Sequence, residues 1–316
     1  TGTVIPLDSM EVANPSYLTP SEDGMFVYAV SEMNDNTAAL YAFAFDKSTG
    51  ALRLLNSERT LGADPCYVST NGKVVLTANY SGGNLSVFPL RKDGSLEPVD
   101  TLFEGTANGP DDRQDTPHIH CALFSPDRKY IFATDFSADR ILRFVVHPKD
   151  SIPHPSVETI DIATDSGPRH LTFSPNGSFA YLINELSGKV IAFHYNDGKL
   201  EQIQTITADT LAARGSADIH LSPDGKFLYA SNRLKEDGIA IFAVNAVHGT
   251  LAKAGYQKTG LHPRNFHITP NGKYLLAACR DSNIIQVYER DEVTGMLKNT
   301  HNDMAIDKPV CIQFVP

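Results

Sequence analysis

Short runs of alternating apolar and polar residues, rich in Val, Ile, Phe and Tyr, follow one another along the chain. This period of two predicts strands and leaves no convincing amphipathic helix. The runs come in a fixed order. A first strand (PSYL, PCYV, HIHCALF, RHLTF, ADIHL, RNFHI) leads into a polar turn (PSEDG, STNG, SPDR, SPNG, SPDG, TPNG). A second strand follows (MFVYAV, VVLTANY, KYIFATDF, SFAYLINE, KFLYASNR, KYLLAACR), then a third (AALYAFAFD, GNLSVFPL, RILRFVV, KVIAFHY, GIAIFAV, NIIQVYER). The third usually runs into a Gly turn and a weaker fourth strand, the glycine supplying the positive φ of a tight hairpin. Gly177, Gly225 and Gly272 stand 48 and 47 residues apart, so the unit repeats.

A four-stranded unit recurring at about 40–50 residues is the signature of a β-propeller blade. Six full repeats are present, and no linker interrupts them, which predicts a single domain over residues 1–316. The stretch from Glu104 to Thr116, rich in Gly, Asn and Asp, reads as a loop over one face. The chain opens on TGTVIPL, in the phase of the turn before a fourth strand, and ends on KPVCIQFVP, in the phase of a first strand. The two fragments predict a seventh blade assembled from both termini and lacking its second and third strands. An open ring exposes strand edges, so roughly 25–30 further residues are expected before Thr1.

Composition narrows the function classes. A net charge of −10 argues against nucleic acid, which needs a basic surface. No apolar run is long enough for a membrane helix. Cys66, Cys121, Cys279 and Cys311 are far apart with no CxxC spacing, and three of them sit in apolar strand contexts. That pattern predicts buried thiols, not a zinc site or disulfide framework. Trp is absent, which counts against a WD-repeat protein. Four thiols without disulfide spacing favour the cytoplasm.

Candidate chemistry emerges when the repeats are aligned on the turn proline. In a blade, the start of the first strand and the end of the second share one rim. Six residues before Pro126, Pro175, Pro223 and Pro270 stand His120, Arg169, Ala217 and Arg264. Ten residues after those prolines stand Phe136, Glu185, Arg233 and Arg280, with Glu32 and Tyr80 at the matching earlier positions. One mouth of the channel thus collects His, Arg and Glu. A His or Glu can act as general base, and clustered Arg can hold an anion and steady an oxyanion. Simple rim ion pairing of Arg169 with Glu185, and of Arg264 and Arg280, is the competing reading, as is a channel-lining role for His120. His118, His120, His170 and His220 lack a completing carboxylate or Cys in sequence, so a metal site is not expected. Asp135, Asp218 and Asn232 are expected to cap turns or orient neighbours. No GxSxG elbow, phosphate-cradling loop or HExxH helix is present.

The segments NPSYL (14–18), HIHCALFSPD (118–127), TDFSADRI (134–141), GPRHLTFSPNG (167–177), YLINELSGKV (181–190), ADIHLSPDGKFLYASNR (217–233) and HPRNF (262–266) resemble the seven-bladed propeller lactonase family. That family includes propeller-type 6-phosphogluconolactonases and fungal 3-carboxymuconate lactonizing enzymes. The resemblance spans essentially the whole chain. It implies an active His, two Arg and a Glu, which fall on His120, Arg169, Arg233 and Glu185. His118, His170, Arg264 and Arg280 are expected to contact substrate. The implied reaction is hydrolysis of an anionic sugar lactone, 6-phosphogluconolactone first, with neither metal nor organic cofactor required. The alternatives are a muconate-type lactonizing lyase at the same site and a non-catalytic binding propeller.

Overall fold

A computed structural model describes residues 5–316. The architecture is all-β and antiparallel, with two single-turn 3₁₀ helices at Asp112–Gln114 and Arg280–Ser282. One compact unit, residues 5–167 with 313–316, holds three sheets; the other, residues 168–312, holds three more. In the first unit, sheet one comprises β1 (Pro15–Pro20), β2 (Phe26–Ser31), β3 (Ala39–Phe45) and β4 (Leu52–Arg59). Sheet two comprises β5 (Pro65–Thr70), β6 (Val74–Asn79), β7 (Asn84–Pro89) and β8 (Thr101–Glu104). Sheet three comprises β9 (Ile119–Phe124), β10 (Tyr130–Asp135), β11 (Arg140–Val146) and β12 (Pro153–Asp161). In the second unit, sheet four comprises β13 (Pro168–Phe173), β14 (Phe179–Asn184), β15 (Lys189–Asn196) and β16 (Lys199–Thr207). Sheet five comprises β17 (Ser216–Leu221), β18 (Phe227–Asn232), β19 (Gly238–Val244) and β20 (Leu251–Lys258). Sheet six comprises β21 (Pro263–Ile268), β22 (Tyr274–Cys279), β23 (Ile284–Arg290), β24 (Leu297–Asn299) and β25 (Met304–Ala305).

Strands pair in chain order within every sheet, as consecutive hairpins must. The recurring turn explains its own sequence. In SPNG, Ser174 Oγ donates to Asn176 Oδ1 (2.6 Å) and accepts the Phe179 N–H (2.9 Å), while Gly177 takes φ 68°. SPDG repeats this, with Ser222 Oγ donating to Asp224 Oδ1 (2.5 Å) and accepting the Phe227 N–H (3.0 Å). A short Ser and an Asx side chain therefore replace the backbone partners that the turn removes.

Second strands are the core. Every residue of β6, β14 and β18 is buried, whereas β4, β12 and β16 alternate toward solvent or face it. Neighbouring sheets are also joined by one repeated clasp. A Phe-x-Tyr at the start of a second strand reaches the Gly turn between the third and fourth strands of the next sheet. Tyr28, Tyr181 and Tyr229 donate their hydroxyls to the carbonyls of Gly94 (3.1 Å), Gly249 (3.0 Å) and Gly295 (2.9 Å). The rings of Phe26, Phe179 and Phe227 lie directly under those glycines.

Three expectations change. The described residues form six sheets, where seven were predicted. The predicted first strand in KPVCIQFVP is not assigned as strand among the described residues. Side chains hold part of it: Asn283 Oδ1 accepts the Lys308 N–H (3.0 Å) and Asn265 Oδ1 accepts the Ile312 N–H (2.7 Å). At the other end, Thr1–Val4 of the expected opening strand lie outside the described residues, and 5–12 are not strand. The Glu104–Thr116 loop is as expected and is pinned. Asp111 and Gln114 form a reciprocal capping box, and buried Gln114 donates to the Phe136 carbonyl (2.8 Å). The fourth strand of sheet six is split into β24 and β25, because Thr300 and Asp303 bond Val287 across the gap. The four cysteines carry thiols, three of them buried. Among the described residues, no helix is long and apolar enough to cross a membrane.

The clasp predicts a stability hierarchy. Gly249 has φ 69°, and a Cβ there would lie 2.2 Å from the Phe179 ring. Gly249→Ala should therefore destabilise by about 2–4 kcal/mol in urea denaturation. Tyr181→Phe, which only strands a carbonyl, should cost about 1–2 kcal/mol. Equal effects would refute the steric account.

Candidate active site

One irregularity sets the geometry. Every first strand carries a bulge near its start, where an extra residue stands against the second strand. In sheet four, Pro168 pairs with Asn184 and His170 with Ile183, so Arg169 is the extra residue. By the same count it is Cys66 in sheet two, His120 in sheet three and Arg264 in sheet six. In sheet five Ala217 and Asp218 stand against Ser231. Proline opens four of these strands; lacking an N–H, it fits a place where the ladder is interrupted.

The second unit brings together Arg169, Glu185 and Arg233. Arg169 is only 2% exposed, a large burial for a guanidinium. Its Nε donates to Glu185 Oε2 (2.9 Å), and Nη1 donates to the Ala217 carbonyl (2.7 Å) and lies 3.3 Å from His170 Nε2. Glu185 follows β14 directly, and the same Oε2 lies 3.1 Å from Arg233 Nη2. One carboxylate oxygen therefore bridges two guanidiniums from adjacent sheets. Arg233, just past β18, donates Nε to the Gly215 carbonyl (2.8 Å) and Nη1 toward His262 Nε2 (3.2 Å). Burial lowers its pKa to about 10, Glu185 opposing and Arg169, Arg264 and Arg280 reinforcing that shift. It remains a cation at neutral pH.

Behind Arg169 lies a second layer, buried at His170, Asp218 and Asn265 and partly exposed at His220. His170 Nδ1 is 2.8 Å from Asp218 Oδ1, and His220 Nε2 is 2.9 Å from Asp218 Oδ2. Oδ2 also accepts from Asn265 Nδ2 (2.5 Å), and Oδ1 accepts the Ile219 N–H (3.0 Å). Arg169 can only donate, so the His170 tautomer is fixed with the proton on Nδ1, facing Asp218, and the lone pair on Nε2. Burial and the Arg169 charge hold His170 at a pKa of about 4, against the pull of Asp218. Burial alone would raise Asp218, but His220 and His170 outweigh it and keep the carboxyl well below its usual range. Both imidazoles are committed to Asp218, and among the described residues no three such groups converge as metal ligands.

The remaining predicted residues are placed as follows. His262 lies beside Arg280, with Nδ1 3.4 Å from Arg280 Nη2 and 3.3 Å from Asp281 Oδ2. Arg280 also forks onto Asp281, with Nε to Oδ1 at 2.7 Å and Nη2 to Oδ2 at 3.1 Å. Arg264 is half-buried at its bulge and adds positive charge felt by Arg233 and His262. In the first unit, His120 is buried with Cys66 Sγ 3.8 Å from its Nδ1 and the Tyr80 ring edge-on at 5.5 Å. His118 is stacked flat on Tyr80 at 4.0 Å, with Nδ1 2.8 Å from the Tyr80 carbonyl. Asp135 pairs with Arg140, while Asn232 accepts from Ser216 and donates to the Ala208 carbonyl. Sequence reasoning missed the site neighbours His262 and Asn265. Only their place in HPRNF, straddling the bulge, could have marked them.

A family model described as "Lactonase, 7-bladed beta-propeller" matches residues 1–314. The chain belongs to this lactonase family. It is 37% identical to the 6-phosphogluconolactonase of Formosa agariphila over 313 residues, 96% of this chain and 89% of that protein. The crystal structure of a candidate 6-phosphogluconolactonase from Bacteroides uniformis superposes with a TM-score of 0.99 at 76% identity, covering 100% of this chain and 92% of the other. The periplasmic gluconolactonase of Pseudomonas aeruginosa superposes at 0.92 and 32% identity, covering 99% and 91%. The sheets described above are thus four-stranded lactonase blades, and Arg169, Glu185 and Arg233 come from two neighbouring ones.

The interior layer predicts an acid-sensitive fold. His170 has a folded pKa of about 4 against an ordinary value of 6.5, so between these values the unfolded chain binds more protons. Stability is therefore present above about pH 6.5 and lost as pH falls toward 4, and depressed Asp218 extends the loss further down. Urea titrations should show a loss of about 2 kcal/mol from His170 alone between pH 7 and 5. A midpoint flat across that interval would contradict the buried neutral imidazole.

Proposed function

We infer that this lactonase-family chain hydrolyses an anionic sugar lactone, 6-phosphogluconolactone to 6-phosphogluconate. The observation that carries the reading is the Glu185 carboxylate bridging two nearly buried arginines, a preorganised charge constellation of the kind that stabilises a developing oxyanion. Related proteins named as 6-phosphogluconolactonase and gluconolactonase support the substrate class.

In this reading Arg169 and Arg233 bind the anion and polarise the lactone carbonyl. Water attacks the carbonyl carbon, giving up a proton to Glu185 or His120, and a carbon–oxygen bond forms. The tetrahedral oxyanion is held by guanidinium N–H groups. It collapses by breaking the bond to the ring oxygen, and the other of the two residues returns a proton to that alkoxide. Hydrolysis moves no electrons, so the reading includes no redox group, and it assigns no metal. Arg264, Arg280, His118 and His170 are assigned to the substrate's surroundings, with His170 acting through Arg169. The reading includes neither nucleic acid nor membrane as partner. A phosphorylated lactone does not diffuse through a bilayer, so the reading places the enzyme in the cytoplasm, where sugar phosphates are made. It also assigns the segment 308–316 to the first-strand position of a seventh blade, supported by the family's blade number and the Asn265–Ile312 bond.

The test is lactone hydrolysis assayed on 6-phosphogluconolactone with gluconolactone alongside. Wild type should turn over the phosphorylated compound preferentially. Arg169→Ala should lower kcat/KM by about 10²–10³, and Glu185→Gln should lower kcat by about 10²–10⁴ with the fold retained by thermal melting. Full activity in both variants would remove the constellation from the mechanism.

A further inference from the structure

His170, Asp218, Asn265 and Ile312 form a series in which each residue touches the next, one repeat further along the sequence. His170 and Asp218 are 48 residues apart, Asp218 and Asn265 are 47 apart, and Asn265 and Ile312 are 47 apart again. His170 Nδ1 lies 2.8 Å from Asp218 Oδ1, and Asn265 Nδ2 donates to Asp218 Oδ2 (2.5 Å). The Ile312 N–H in turn donates to Asn265 Oδ1 (2.7 Å). The His267 ring, two residues further along β21, bonds the Ile312 backbone as well. Two side chains of one strand therefore grip the segment 306–312 at Ile312. The segment is held separately at Asn283, whose Oδ1 accepts the Lys308 N–H (3.0 Å) and whose carbonyl accepts the Ile306 N–H (3.2 Å).

The Asn265 amide fits this place in only one orientation. A backbone N–H can only donate, and a carboxylate can only accept. Ile312 therefore takes Oδ1, and the Nδ2–H is left for Asp218. Asn265 is 1% exposed, so neither end can turn to solvent instead. The fold alone does not ask for an amide here. Asn265 is the residue just after the bulge of its strand, and that register holds Tyr67 in sheet two and Cys121 in sheet three.

The amide sets the Asp218 carboxylate. Oδ2 is occupied by Asn265 and by His220 Nε2 (2.9 Å), which leaves Oδ1 turned to His170. His170 then presents its Nε2 lone pair to Arg169 Nη1 (3.3 Å), and Arg169 carries the Glu185 bridge. We propose that the segment 306–312 is a positioning element of the reacting centre. Seating Ile312 on Asn265 orients Asp218, and through His170 it holds Arg169 in place. Asn265 is the positioning residue, and Ile312 contributes only its backbone. That Arg169 takes part in lactone hydrolysis rests on the lactonase reading; the coupling of the segment to His170 does not.

Three variants separate positioning from a merely stabilising role. Ile312→Pro removes the N–H that Asn265 accepts, and Asn265→Leu removes both bonds of the amide. Asn283→Gly frees the segment at Lys308 instead, and its φ of 53° suits glycine. The readouts are thermal melting, the His170 Nδ1 proton by NMR, and kcat/KM on 6-phosphogluconolactone. All three variants should melt below wild type. Only Ile312→Pro and Asn265→Leu should shift the His170 proton and lower kcat/KM, by roughly 10-fold, as loss of one charge-assisted hydrogen bond implies. Asn283→Gly should keep both at wild-type values. If Ile312→Pro does not fold, Asn265→Leu decides alone. A folded Ile312→Pro or Asn265→Leu with the wild-type His170 signal and kcat/KM would overturn the proposal, as would equal losses in Asn283→Gly. Failure of the lactonase reading would look different: wild type would hydrolyse no lactone, yet the His170 proton would still move in Ile312→Pro, which would support the coupling.

Discussion

The geometry of the site depends on one extra residue. A regular antiparallel strand sends alternate side chains to opposite faces, and a blade buries both faces of its first strands against neighbours. The bulge breaks that alternation at one place and leaves a side chain unmatched by the ladder. In four of the six sheets the unmatched residue is Cys66, His120, Arg169 or Arg264. Hydrogen bonds from the residue just after a second strand to the residue before the opening proline flank the distortion, as in Tyr80 to Asp64 and Arg280 to His262. The fold thus presents chemically distinct groups at equivalent positions while the rest of each blade stays nearly constant.

Burying a guanidinium as deeply as Arg169 is costly unless its donors are matched and its charge is opposed. Glu185 and the Ala217 carbonyl meet most of that need, and the His170 lone pair lies on the remaining side. His170 can present a lone pair only because Asp218 holds its proton on the opposite nitrogen, and Asp218 is in turn held by His220, Asn265 and backbone N–H. The arrangement runs from the Glu185 bridge into sheets five and six without an unmatched step. Arg169 is consequently held by Glu185 and the Ala217 carbonyl directly, and by Asp218 through His170.

Much of this was legible in the chain because the repeat is strict. Ser/Thr-Pro-Asx turns mark four of the six hairpins, and counting from their prolines finds His120, Arg169 and Arg264 at one structural position, and Glu185, Arg233 and Arg280 at another. What counting cannot supply is pairing across sheets. Asp218 reads as a turn-capping residue until Asn265, 47 residues later, and His170, 48 residues earlier, are seen to meet it. His262 was hidden for another reason: its backbone role is generic, and only the side chains around it make it unusual.

The Phe-x-Tyr clasp has a consequence for how such a chain can arise. Each repeat that carries it holds a plug, at the start of its second strand, and a socket, the bare glycine turn before its fourth. Tyr181 reaches forward into the next repeat, whose own Tyr229 reaches forward again. A segment copied whole therefore arrives with both halves of its joint and mates with its neighbours without further change. Duplication of a DNA stretch about one repeat long adds a blade that fits on the day it appears. The joint is kept apart from the bulged rim, so copies are then at liberty to diverge in chemistry there, one as an arginine, another as a histidine.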